Sequence, residues 1–186
     1  MIRAFLAIDL PPSVRPALGR VQEELKKSAA DVRWVPVGNI HLTLKFFGQL
    51  PEGEVEPLTQ AAKAVAAAQA PFELQITGAG AFPSLNNPRV VWVGIGGEVL
   101  ALAQFYRRLE TALAALGHLP EGRPFHPHLT LGRVRSPAGR ERLAKMLKGL
   151  AVPDWPPFKV NELILFRSNL SPQGSTYTPL QVITLG

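Results

Sequence analysis

Histidine and threonine recur together twice in this chain. His41-Leu42-Thr43-Leu44 and His128-Leu129-Thr130-Leu131 are one tetrapeptide in two places, and they use two of the four histidines. With average residue usage, such a match around any pair of four histidines has a probability of roughly a few in a thousand. Successive side chains on a strand point to opposite faces. The His and Thr of each copy therefore share one face, while the two leucines anchor the other in a core. Two such strands brought together present two imidazoles and two hydroxyls to one cleft. That set suits phosphodiester chemistry. Histidine, with an ordinary pKa of about 6.5, takes or gives a proton near neutrality. The hydroxyls of Thr43 and Thr130 can donate to non-bridging oxygens, where charge builds in the transition state. One imidazole would deprotonate water and the other would protonate the leaving oxygen on the opposite side of phosphorus. The residues alone do not say which does which.

Other side chains near the tetrapeptides extend the set. Lys45, Arg123 and Arg135 are available to attract flanking phosphates, although a solvated face accounts for each equally well. His126 and His128 form an H-x-H pair of the kind that can hold a metal. No carboxylate lies near either tetrapeptide in sequence and Pro127 stiffens the pair, so no metal and no cofactor is expected. His126 reads instead as a loop or supporting residue, and His118 as a helix C-terminal histidine favoured by the dipole. No glycine-rich phosphate loop with its lysine is present, which argues against ATP-driven ligation.

Composition narrows the class. The 186 residues suffice for one domain with a sizeable core. With 46% hydrophobic and 18% charged residues, the chain reads as globular. A net charge of +6 favours a polyanionic partner. The absence of cysteine excludes disulfides, thiolate metal sites and cysteine nucleophiles, and fits a cytoplasmic location. No segment approaches the roughly 20 apolar residues of a membrane span.

The elements that must position the motifs can be read from periodicity. Residues 2–9 read as a first buried strand. Pro12-Ser13 open a helix with Val14, Leu18, Val21 and Leu25 on one stripe. A short strand at 32–35 and a turn at 36–39 lead into the first motif strand, 40–47, which Gly48 should stop. A helix over 52–69 follows, then a strand over 72–77. The Gly-, Pro- and Asn-rich stretch 78–88 reads as a loop at the cleft rim. A strand at 90–95 and the strongest helix of the chain, 100–116, precede the stiff loop 121–127 and the second motif strand, 128–134. A short helix begins at Ser136-Pro137, and two strands, 160–166 and 176–185, end the chain. Strand, helix, strand, strand occurs before and after the midpoint, so the pattern predicts a duplicated α+β unit.

The paired tetrapeptides resemble those of the two-histidine (2H) phosphoesterases. The segments Val35–Gly48 and Phe125–Arg133 look like the bacterial and archaeal RNA 2′,3′-cyclic phosphodiesterase branch, first named 2′-5′ RNA ligase. So do Arg3–Leu10 and Leu165–Leu170 with Gly174 and Tyr177, so the resemblance spans the chain. It implies a single bilobal α+β domain, antiparallel sheets flanked by helices about a pseudo-twofold, with the groove between lobes. It implies metal-independent opening of a 2′,3′-cyclic phosphate at an RNA end, tRNA fragments among such ends, to leave a 2′-phosphate. Reversible 2′-5′ ligation would follow if a 5′-hydroxyl replaced water. In this analogy His41 is the acid on O3′ and His128 the base on water. Arg133 matches the family arginine that pairs with phosphate, although strict alternation turns it away from His128 unless the strand bulges at Gly132. The family motif points to Phe46 for stacking on the terminal base, while parity favours Phe47. A monomer with no membrane partner is expected. The alternatives are a 2H enzyme acting on small cyclic nucleotide phosphates or 2′-5′ oligonucleotides, or a non-catalytic RNA-end-binding protein.

Overall fold

Among the described residues, two antiparallel sheets and four α-helices make up the fold. The structure, a computed structural model, describes residues 1–151 and 155–186. The strands are β1 (Ile2–Ile8), β2 (Val32–Trp34), β3 (Leu42–Leu50), β4 (Phe72–Ser84), β5 (Asn87–Gly97), β6 (His128–Val134), β7 (Phe158–Val160), β8 (Glu162–Ser171) and β9 (Gly174–Thr184). The helices are α1 (Arg15–Lys26), α2 (Val55–Ala67), α3 (Val99–Ala114) and α4 (Arg140–Gly149). One sheet runs β3-β1-β8-β9 and the other β2-β6-β5-β4-β7. No helix of the described residues is long and apolar enough to cross a membrane.

β1 lies between β3 and β8 and is covered on both faces, which is why it reads as an unbroken apolar run. Its alternate residues serve two environments. Ala4, Leu6 and Ile8 enter the main core, whereas Phe5 and Ala7 join Ile164 and Phe166 in a second cluster with Tyr177 against it. The helices bury the stripes their periodicity predicts: Leu18, Val21 and Leu25 of α1, and Leu102, Phe105, Leu109 and Leu113 of α3. Gly117, at φ +92, closes α3 as the amide of His118 donates to the Leu113 carbonyl.

The sheets interleave the two halves of the chain: β2 crosses to the second sheet, and β8 and β9 return to the first. Buried Gln22 of α1 secures the crossing by donating from its amide to the carbonyls of Val35 and Leu131. The stretch 78–88 is not a loop. It belongs to the β4–β5 hairpin, whose turn is only Leu85-Asn86. Its small residues answer a partner across the ladder, because a Cβ at Gly80 would collide with the indole of Trp92. Gly48 does not stop β3 either. At φ +66 it follows a register shift that lets the strand run on to Leu50.

Lys45 is also corrected. It points into the core, where its Nζ lies 2.9 Å from Glu110 Oε1 of α3 and donates to the Leu119 carbonyl at 2.6 Å. Burial, with the Glu110 carboxylate beside it, pushes the Tyr106 hydroxyl up to about 12. The Tyr106 ring stacks on Phe125 at 3.9 Å, just ahead of the second motif. Arg135 is likewise occupied, with its guanidinium on Asp31 at 2.9 Å.

Lys45→Ala leaves a buried carboxylate without its cation and is expected to cost about 3–5 kcal/mol in urea unfolding. The Lys45→Met/Glu110→Leu pair removes both charges and should unfold near the wild-type midpoint. A Lys45→Ala midpoint at the wild-type value would mean the ion pair carries no stability.

Candidate active site

Both motif strands carry an extra residue at the same place in the tetrapeptide, and β3 carries a second one at Phe47. In the β1–β3 ladder Ala7 faces Thr43 and Leu6 faces Lys45, so Leu44 is unpaired. In the β5–β6 ladder Trp92 faces Thr130 and Val91 faces Gly132, so Leu131 is unpaired. Each bulge shifts the alternation by one residue. The residue two places beyond it returns to the face of His and Thr. Phe46 and Arg133 are those residues, and they line one groove with His41, Thr43, His128 and Thr130. Phe47 instead packs on the core and meets His118 edge-on at 5.1 Å. The bulge that turns Arg133 inward sits at Leu131, one residue before the expected Gly132. Gly132 has its own reason, since a Cβ there would lie 2.7 Å from Val32 Cγ1 and 2.9 Å from the Trp34 ring.

The two imidazoles are seated alike. His41 Nδ1 lies 2.6 Å from the carbonyl of Asn39, and His128 Nδ1 lies 2.7 Å from the carbonyl of His126. A carbonyl only accepts, so each Nδ1 carries the hydrogen and each Nε2 is the nitrogen free to exchange a proton. Aromatic rings complete both seats. Phe5 stacks on His41 at 4.7 Å and Tyr177 meets it edge-on at 5.3 Å. Phe82 stands edge-on to His128 at 5.0 Å, with Trp92 at 6.2 Å.

This enclosure sets the charge. Burial holds His41 below its ordinary value, opposed by the Asn39 carbonyl and the Asp9 carboxylate and aided by Arg15. Burial likewise lowers His128, opposed by the His126 carbonyl and reinforced by electrostatic repulsion from His126 and Arg133. Both shifts favour the neutral imidazoles.

The groove encloses about 300 Å³. Beyond the expected residues it is lined by Arg3, Phe5, Asn39, Ser168, Ser175 and Tyr177. Arg3 lies over the Phe46 ring, 4.6 Å from its centroid. Asn39 ties the wall together by donating from its side-chain amide to the Ser175 carbonyl at 2.8 Å. Alternation along β1 puts Arg3 and Phe5 on one face and was the available signal for that pair. The contributions of Ser175 and Phe82 depend on the β8–β9 and β4–β5 pairings. His126 supports the site through its carbonyl, and its ring centroid is 6.2 Å from that of His128. Among the described residues no three His, Asp or Glu side chains gather as a metal would require.

Two antiparallel sheets that each bring one copy of a His-Leu-Thr-Leu strand to a shared groove define a phosphoesterase of the two-histidine class. The chain belongs to the LigT-like phosphoesterase family, whose model matches residues 8–92 and 97–177. It is 38% identical over 184 residues to the RNA 2′,3′-cyclic phosphodiesterase of Methanothermobacter thermautotrophicus, covering 99% of each chain. It is 35% identical over 190 residues to the protein of that name from Thermus thermophilus, covering 99% of this chain and 90% of the relative. The crystal structure of a Thermus thermophilus protein superposes with a TM-score of 0.81 at 30% identity, over 99% of this chain and 98% of that one. E. coli LigT complexed with 3′-AMP gives 0.78 at 30% identity over the same shares.

Histidine titration by NMR is expected to place both His41 and His128 below about 6.5, and Phe5→Ala should move His41 back toward that value. Because the folded pKa values lie below the unfolded one, stability is complete above about pH 6.5 and falls as pH drops through that window toward the folded values. Midpoints at or above the ordinary value would contradict the buried seats.

Proposed function

We propose that this groove hydrolyses the 2′,3′-cyclic phosphate at an RNA end to a 2′-phosphate, without a metal, by paired-histidine acid–base catalysis. The observation that carries the reading is the matched seating of the two imidazoles. Each is fixed by a main-chain carbonyl in the tautomer that leaves Nε2 for proton transfer, and both line one groove. The names of the relatives agree with it.

In this reading water attacks phosphorus while His128 Nε2 takes its proton. The P–O3′ bond breaks as His41 Nε2 delivers a proton to O3′. The products are a 2′-phosphate and a 3′-hydroxyl, and solvent restores both imidazoles. The charges around the rings favour this division of labour. At His41 the Asp9 carboxylate supports a cation and its partner Arg15 opposes one, whereas at His128 both neighbouring charged groups, His126 and Arg133, oppose one. Thr43 and Thr130 donate to the non-bridging oxygens, Arg133 pairs with the phosphate, and Phe46 stacks on the terminal base. A 5′-hydroxyl in place of water makes a 2′-5′ linkage by the same steps, which is the route to reversible ligation. The modest groove volume also suits a small cyclic nucleotide phosphate, the second reading.

His41→Ala and His128→Ala are each expected to lower kcat by about two to four orders of magnitude, measured on an RNA ending in 2′,3′-cyclic phosphate, with far smaller loss of product binding. Retention of kcat within about tenfold in either variant would sink the scheme. Activity should survive a strong chelator, and phosphorus NMR should find the product phosphate on O2′.

The pH profile is a separate check. The acid must be protonated, and its pKa in the free enzyme lies below about 6.5. The alkaline limb of kcat/KM is therefore expected below that pH. The limb of kcat should lie higher, because a bound phosphate anion stabilises the imidazolium. Coincident limbs above about pH 8 would contradict the assignment.

A further inference from the structure

We infer that Arg33, acting with Arg133, forms a second phosphate site one nucleotide along from the reacting phosphate. The groove would then favour an RNA chain over a lone nucleotide. This rests on the catalytic reading above and adds a residue outside the groove lining.

Arg33 of β2 sits directly opposite Arg133 of β6 in the antiparallel ladder. Directly opposed residues share a face, with Cα atoms roughly 4.5–5.5 Å apart. Arg133 lines the groove, so Arg33 extends its face of the sheet to the edge strand. Like charges placed opposite one another destabilise a sheet. Both side chains are exposed, and among the described residues neither has a carboxylate within ion-pair distance. The neighbouring charged pair on the same seam is complementary instead: Asp31 meets Arg135 at 2.9 Å. The repulsion is thus confined to the two residues beside the groove, where an anion would relieve it.

The position of Arg33 shows where that anion would run. A Cβ built on Gly174, at the β8–β9 turn, would lie 3.5 Å from Arg33 Nη2. Ser175, the next residue, lines the groove and is tied to Asn39. The guanidinium therefore stands at the groove mouth, between the edge of β2 and that turn. A chain whose terminal phosphate lies between the imidazoles passes Arg133 first and Arg33 next. Two forked guanidinium groups side by side match successive phosphodiester oxygens. The ligand class is the phosphate on the 5′ side of the terminal nucleotide.

Three substrates test the site: a nucleoside 2′,3′-cyclic phosphate, the same compound with a 5′-phosphate, and a trinucleotide ending in the cyclic phosphate. Wild type should prefer the second and third over the first in kcat/KM. In Arg33→Ala and Arg33→Glu that preference should shrink about tenfold or more, the worth of one charge-assisted contact, with Arg33→Lys intermediate. The slope of log kcat/KM against log salt on the trinucleotide should lessen by about 0.7. An undiminished preference in the variants, or an equal loss on all three substrates, overturns the second site while leaving the catalytic reading standing. A wild type inactive on all three overturns the catalytic reading itself, and this one with it.

Discussion

A single unpaired leucine in each of two strands organises this site. Leu44 and Leu131 end the two copies of the tetrapeptide, and each is the extra residue of a β-bulge. Without the bulges strict alternation would turn Phe46 and Arg133 away from the histidines. With them, one short motif presents three side chains to the groove: His, Thr and the residue two places past the bulge. The same displacement turns Lys45 into the core, where it meets Glu110, and puts Gly132 beneath the side chains of β2. One backbone irregularity thus both builds the groove and attaches its strands to the body of the protein.

The histidines are prepared by their surroundings more than by their neighbours in sequence. A main-chain carbonyl two residues back fixes each tautomer, and this works equally with Asn39 or His126 in that position. Aromatic rings then withdraw both imidazoles from water, which favours their neutral forms. In the proposed reaction a phosphate anion in the groove would raise the proton affinity of both rings, which suits a pair of groups that would hold one proton between them.

The two sheets interleave distant parts of the chain, and that arrangement brings the motifs together. β2 leaves the first half to pair with β6, while β8 and β9 return to flank β1. The crossing carries Arg33 to the side of Arg133, and the β8–β9 turn brings Ser175 and Tyr177 to the wall beside His41. The buried links between elements follow the same logic. Gln22 bridges Val35 and Leu131, and Lys45, Glu110, Tyr106 and Phe125 join the first motif strand to the loop before the second.

The amino-acid sequence alone picked out residues that come to line one groove and most of the elements that carry them. A repeated His-Leu-Thr-Leu signals two half-buried strands with the same outward face, and apolar periodicity marks α1 and α3, because both patterns depend only on local geometry. Three features were decided by tertiary structure. The stretch 78–88 became a hairpin, with Gly80 accommodating Trp92 on the opposite strand. Phe46 rather than Phe47, and Arg133 despite its parity, face the groove because register against β1 and β5 sets the bulges. Lys45 went inward because Glu110 waits there. Each outcome turns on a partner far away in the chain, and local pattern carries no record of which strand will lie alongside.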